Sequence, residues 1–370
     1  MKQMAKEGNN ALLTQTIDYL RFPLTVGVVF AHSYIGHMSI HGVDYSVNAN
    51  SCANYIMVFF SQVFGRITVP LFFFISGYLF FYKTDFSAQI YKKKLQRRYR
   101  SIIIPYIIWN FLGFLILLTE VHPAFAHFFP GFNDLHINIT TFLSCFWNVH
   151  LTPTENIHCV PINFPLWYIR DLIVLFFIAP VIYWLLKHKG YIFLSVIGVV
   201  WFFNWGQFIG LPKASHDSML FFPLGVYLSM NNIDFTDYTS KTKWSPYLFL
   251  LVAVADTFTY GRPDTVWIHK LAIIIGSIAI IHMVACLLSK NCIKTNKQLS
   301  ESSFFLYLIH GLFILLYLKV LLLVIHPKSQ LSFLFVYFFV VTTTVLVSLF
   351  IHYLLKKYLP SIAKALTGGR

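Results

Sequence analysis

Four residues near the start of the chain, Asp18, Arg21, Thr25 and His32, have types and spacing that could do chemistry. If the apolar stretch that holds them is helical, Arg21 and His32 are three turns apart, on one face and roughly 16 Å from each other along the axis. An ionisable group at membrane depth costs several kcal/mol unless it faces protein or a water-filled cavity, so such a stripe points to function. Histidine titrates near neutral pH and suits proton transfer. Asp18 and Arg21 by themselves would also serve as the end of a helix at the headgroups.

The stripe sits in a chain of 370 residues that is 57% hydrophobic, 18% aromatic and only 11% charged. That composition excludes an ordinary soluble domain and indicates an integral membrane protein. A net charge of +14 would suggest nucleic acid in a soluble protein. Sorting the basic residues by loop removes that reading, because Lys and Arg collect in cytoplasmic connections. The N-terminus lacks the short apolar core and small-residue cleavage site of a removable signal peptide.

Apolar stretches near 20 residues long predict an all-α bundle of about ten transmembrane helices, at 17–37, 55–82, 101–119, 164–186, 191–209, 217–230, 245–259, 266–288, 302–325 and 331–355. With the N-terminus inside, 20 of the 28 Lys and Arg residues fall on the cytoplasmic side and only Lys213, Arg262 and Lys328 on the other, which predicts N-in and C-in. Residues 1–370 read as one transmembrane domain, with a basic cytoplasmic segment at 83–100, an extracytoplasmic cap at 120–163 and a cytoplasmic tail at 356–370. The cap holds His122, His127, His136, His150 and His158, but no HxH or HxxxH spacing, so no metal site is expected. A Cys145–Cys159 bridge is possible there, though no spacing supports it.

Depth can be compared between antiparallel spans at about 1.5 Å per residue. His32 and Arg66 then share one level, and Arg21 and Ser76 share another near the opposite face. Pro70 and Gly77 in the second span permit an opened helix ladder and a close backbone approach. Arg97, Arg98 and Arg100, ahead of the third span, could hold phosphate groups, although a run of this kind also serves as a positive-inside anchor. Trp167, Arg170 and Asp171 open the fourth span near the level of His32, where an aromatic flanked by polar groups suits a sugar and a tryptophan belt is the competing reading. His310 reads as a satisfied packing histidine, and His269, His282, Lys270, Lys319 and His352 receive no role.

Together these residues resemble the acyltransferase-3 family: Arg21-x10-His32, the VPLFFFISGYLF stretch, Arg97-x-x-Arg100 before Ile104-Pro105-Tyr106, Pro165-Leu166-Trp167-Tyr168-Ile169, and Ser303 through His310. The resemblance implies a polytopic bacterial inner-membrane O-acyltransferase of the stand-alone form, without a fused extracytoplasmic hydrolase-like domain. It implies acetyl-CoA as a co-substrate, no tightly bound cofactor, and a hydroxyl of an envelope glycan or lipid-linked saccharide as acceptor. By the same resemblance His32 is the essential histidine, as general base or transient acyl carrier, with Arg21 as its partner and Asp18 orienting Arg21. Arg97 and Arg100, joined by Arg98 and Ser76, would face the CoA, and Arg66, Trp167, Arg170 and Asp171 the acceptor. A polysaccharide or small-molecule transporter would use the same buried charges and stands as the alternative.

Overall fold

Long apolar runs must satisfy their own backbone groups in a lipid environment, and the chain does this with helices. The computed structural model describes residues 2–40, 42–84, 86–125, 137–149, 160–205 and 213–369. Among these, six helical stretches are long and apolar enough to cross a membrane: Cys52–Phe81, Ala88–Val121, Phe164–Phe202, Pro263–Ser289, Lys297–Ile325 and Gln330–Tyr358. The protein is a multi-pass helical membrane protein.

In chain order the elements that matter here are α1 (Lys2–His32), strands β1 (His37–Ile40) and β2 (Val43–Ser46), α2 (Cys52–Val58), α3 (Gly65–Phe81), α4 (Ala88–Arg98), α5 (Ile104–Val121) and α6 (Ile139–Ser144). They continue with α7 (Trp167–Phe202), α8 (Lys213–Met230), α9 (Phe235–Ser240), α10 (Ser245–Thr259), α11 (Val266–Ser289), α12 (Lys297–Ile325), α13 (Gln330–Tyr358) and α14 (Pro360–Thr367). Wider π-helical turns at Phe59–Phe64 and Tyr99–Ile103 join α2 to α3 and α4 to α5.

Every expected span has a helical counterpart, and two features differ from expectation: the end of the first helix and a hairpin beyond it. The stretches 164–186 and 191–209 are two helices that abut in α7 and divide at Lys189 (φ −140°, ψ 36°). The polar Lys187-His188-Lys189-Gly190 segment separates them as hydropathy implies, and because Phe176 before it and Trp201 after it pack on Phe222 and Phe221 of α8, the chain folds back there; 206–209 lie outside the described residues. The first helix ends at His32 instead of residue 37, and beyond it a two-stranded antiparallel hairpin pairs His37 with Ser46 and Ile40 with Val43, a small departure from an all-α fold. Of the expected cap, residues 120–125, 137–149 and 160–163 are described, whereas His127, His136, His150, His158 and Cys159 lie outside the described residues.

Side-chain caps mark several starts: Ser51, Ser87, Asn138, Asn296 and Ser329 each accept a backbone N–H from the first turn of the helix that follows. Helix α3 lies at the centre, with Phe73 and Phe80 fully enclosed. It meets α8 at backbone distance, because Gly77 faces the Phe222 carbonyl and Gly225 faces the Phe74 carbonyl, each where a Cβ would come within 2.1 Å of oxygen. Large exposed apolar residues such as Phe177, Val181, Leu250, Leu251, Phe335 and Phe350 form the periphery, as a lipid-facing surface requires.

Candidate functional site

Helix α1 carries its polar stripe into the bundle between α3, α11 and α12. Near its middle Arg21 Nη1 lies 3.0 Å from Asp18 Oδ1, with both side chains less than half exposed to solvent (44% and 41%). Thr25 donates to the Arg21 carbonyl at 2.9 Å, the local bond expected of a hydroxyl inside a helix. Arg21 and Thr25 form one wall of a cavity of about 540 Å³ whose other walls include Ser76, Arg98, Tyr168 and Tyr307. Ser76 Oγ and the Tyr168 hydroxyl are 3.1 Å apart across it.

Of the three arginines ahead of the third span, Arg98 alone reaches this cavity; Arg97 and Arg100 are exposed and outside its lining. The reason is helical phase. Leu95, Arg98 and Ile102 lie at i, i+3 and i+7, so Arg98 falls on the inward stripe, where its guanidinium sits 5.2 Å from the centre of the Phe176 ring.

The far end of α1 is fixed by groups that hold its last carbonyls. Ser33 donates to the Val29 carbonyl at 2.8 Å, and Ser61, from the π-helical turn, donates to the Phe30 carbonyl at 2.5 Å while meeting the Tyr337 hydroxyl at 2.6 Å. Those bonds satisfy acceptors that a helix end leaves open, and they set the position of the terminal His32. The His32 ring stands edge-on to Phe164 at 4.7 Å and stacks on His310 at 5.6 Å with 28° between the planes.

His310 comes from α12 and is completely buried. Its Nδ1 lies 3.1 Å from the Leu306 carbonyl, an acceptor only, so Nδ1 carries the proton and Nε2 presents a lone pair. That Nε2 has no hydrogen-bond partner among the described residues. A packing histidine would be satisfied, so the expectation for His310 does not match its surroundings. Tyr307, one turn away, lies 5.8 Å from His310 ring to ring and donates to the Pro165 carbonyl. Asn163 Nδ2 donates to the Leu308 carbonyl at 2.9 Å, and its N–H reaches Asn110 Oδ1 at 3.3 Å. The segment carrying Phe164 and Pro165 is thereby stitched to α12, and the order cavity, Tyr307, His310, His32 follows.

Arg66 is exposed, bonds Gln62 Oε1 at 3.0 Å and lies within electrostatic reach of the Tyr260 hydroxyl. It lies within electrostatic reach of His32, as the comparison of depths implied. Arg170 and Asp171 are placed differently. They are buried, paired with each other at 2.8 Å, and Arg170 donates to the Trp147 carbonyl at 2.9 Å while its guanidinium lies 5.5 Å from the Trp147 ring. Trp167 is half-buried beside Phe73, with 6.3 Å between ring centres. These residues tie α7 to the cap segment behind α6. The structure thus gathers Arg21, Ser76 and Arg98 around one cavity and Arg66 near His32, and leaves Arg97, Arg100, Arg170 and Asp171 outside the cavity lining, with Asp171 within electrostatic reach of Tyr307. Missing from the expected set are His310, Tyr307 and Tyr168, all inside quoted stretches, where the sequence assigns His310 a packing role and the two tyrosines none.

Fold and site define a multi-pass membrane protein with a cation-lined internal cavity leading to a histidine pair. The profile of the acyltransferase-3 family, described as an acyltransferase domain, matches residues 15–353, so the chain belongs to that family and is an acyltransferase. It is similar to the succinoglycan biosynthesis protein ExoH of Rhizobium meliloti (strain 1021), 26% identical over 284 residues that cover 73% of this chain and 71% of that protein. No solved structure matches the chain.

Proposed function

We propose that the protein is a ten-span O-acyltransferase, N-in and C-in, that moves an acetyl group from cytoplasmic acetyl-CoA to a hydroxyl of a cell-envelope saccharide or glycolipid. The observation that carries the reading is the succession of Arg21 and Arg98 in the cavity, then Tyr307, then the His310–His32 stack. The relative named for succinoglycan biosynthesis supports a saccharide acceptor.

In this reading the two cavity arginines draw in the phosphates and polar groups of CoA, with Arg97 and Arg100 adding positive potential on the exposed side of the same segment. Asp18 holds Arg21 in place. The pantetheine arm runs past Ser76 and Tyr168 toward Tyr307. His32 accepts the proton of the acceptor hydroxyl as its oxygen attacks the thioester carbonyl. The tetrahedral intermediate then collapses, breaking the carbon–sulfur bond, and the departing thiolate takes the proton from His32. Arg66 is the cation nearest the developing oxyanion. Transient acylation of His32 uses the same groups in two steps. Arg170 and Asp171 serve the acceptor side indirectly, by holding the Trp147 segment beside Trp167.

The test is mass spectrometry of envelope glycans from cells with and without the protein, together with transfer by membrane vesicles supplied with acetyl-CoA. An acetyl-sized increment that depends on the protein is expected, and His32→Ala should abolish it while CoA binding persists. Transport of glycan without consumption of acetyl-CoA, or full transfer by His32→Ala, would overturn the proposal.

A further inference from the structure

At the His32 end of the bundle, the junction of α10 and α11 concentrates hydrogen-bonding groups on an otherwise apolar hairpin. Asp256, in the last turn of α10, is 2% exposed, and its Oδ2 lies 2.8 Å from Nδ1 of His269 in the first turn of α11. The His269 side chain remains 25% exposed, so the carboxylate anchors an imidazole whose other edge faces outward. Tyr260, 40% exposed, follows directly after α10 and lies within electrostatic reach of Arg66 and Asp256, where α10 and α11 pack on the π-helical turn that leads into Arg66. Arg66 in turn lies within electrostatic reach of His32. Beside this row Phe258, 56% exposed, packs its ring 4.6 Å from that of Tyr55.

We infer that Arg66, Tyr260, Asp256 and His269 form the subsite that holds the acceptor saccharide and turns one of its hydroxyls toward His32. A hydroxyl-rich ligand is recognised by planar polar side chains that donate and accept at fixed angles, with an aromatic face against the C–H side of a sugar ring. This row supplies all of them within one surface. A purely structural Asp–His pair would account for the buried carboxylate, but not for the exposed tyrosine beside it and the exposed arginine that lies within electrostatic reach of both Tyr260 and His32. Asp256 acts through His269 and is a positioning residue. The inference rests on the transferase reading above, and it moves the acceptor from the Arg170–Asp171 pair, which is tied up in the fold, to the α10–α11 junction.

The test uses the full-length protein in vesicles, and as probe the repeat-unit oligosaccharides released by mild acid from the envelope polysaccharide of cells lacking the protein. His269→Gln, Asp256→Asn and Tyr260→Phe should each raise the KM for oligosaccharide about tenfold, the effect of losing one hydrogen bond to a charged or oriented group. The KM for acetyl-CoA should stay within about twofold, a split that general loss of structure would not produce. Tyr260→Phe removes only an exposed hydroxyl and keeps the test valid where the buried Asp256→Asn fails to fold. Oligosaccharide binding measured without acetyl-CoA separates the two proposals. Binding by all three variants as tight as wild type overturns the subsite. Binding by wild type that the variants lose, without any acyl transfer, supports the subsite and overturns the transferase reading.

Discussion

Replacing His310 with phenylalanine separates the two roles its surroundings allow. The ring is wholly buried, Nδ1 bonds a carbonyl inside its own helix, and Nε2 is without a partner among the described residues. A buried acceptor left unsatisfied costs about 1–3 kcal/mol, whereas a net hydrogen bond contributes about 1 kcal/mol. Phenylalanine has nearly the same shape and needs neither bond, so His310→Phe should leave stability within about 2 kcal/mol of wild type, with a small gain as the favoured direction. Activity should behave otherwise. If Nε2 receives a hydrogen bond from the substrate or from His32 during transfer, its removal should slow turnover by about 10²–10⁴, the range for a positioned proton-transfer partner, or about 3–5 kcal/mol of barrier. The assay pairs thermal unfolding in detergent with acetyl transfer in vesicles. Full activity in His310→Phe would refute the functional reading of the unsatisfied nitrogen, and so would a loss of activity that merely tracks a large loss of stability.

Other predictions follow from the same geometry. Arg98→Gln should raise the KM for acetyl-CoA about tenfold, with smaller, salt-sensitive effects for the exposed Arg97→Gln and Arg100→Gln; equal effects for all three would detach the cavity from donor binding. Gly77→Ala places a Cβ 2.1 Å from the Phe222 carbonyl, so α3 and α8 must part by about 1 Å at a cost of about 1–3 kcal/mol, seen as a lowered Tm. In a Cys159→Ser background, a membrane-impermeant maleimide applied to intact cells should label the exposed Cys52 and reach the exposed Cys292 only after permeabilisation; the reverse pattern would invert the topology. Cys145 is fully enclosed and burial pushes its thiol up to about 11, so the unreactive protonated form persists and its alkylation should stay slow until the medium approaches that pH.

Hydropathy placed the helices because lipid tolerates no unsatisfied backbone, and a long apolar run has few other ways to meet that demand. It placed the break between two helices at Lys187–Gly190, where Lys189 leaves helical geometry and the chain turns back. It did not anticipate the hairpin at 37–46, whose pairing depends on two short segments meeting in register. Within the site, Arg21 and His32 were legible because charge in an apolar helix is conspicuous, and family resemblance attached chemistry to them. Tyr307 and Tyr168 carry no such contrast; His310 does, but its sequence neighbours do not distinguish a packing role from a chemical one.

By itself, then, the order of residues determined the membrane class, the helical stretches and the stripe on α1, all of which are local properties of periodicity and solvation. Tertiary structure decided which polar groups meet. It turned Arg98 rather than Arg97 or Arg100 into the cavity and joined Arg170 to Asp171 and the cap. It brought His310 onto His32 from a helix 278 positions away in the chain and aligned Asp256 and His269 across the α10–α11 junction. Those pairings depend on helix phase, on the glycine contacts that set helix spacing and on the bonds that anchor each helix end, and no single stretch of sequence encodes them alone.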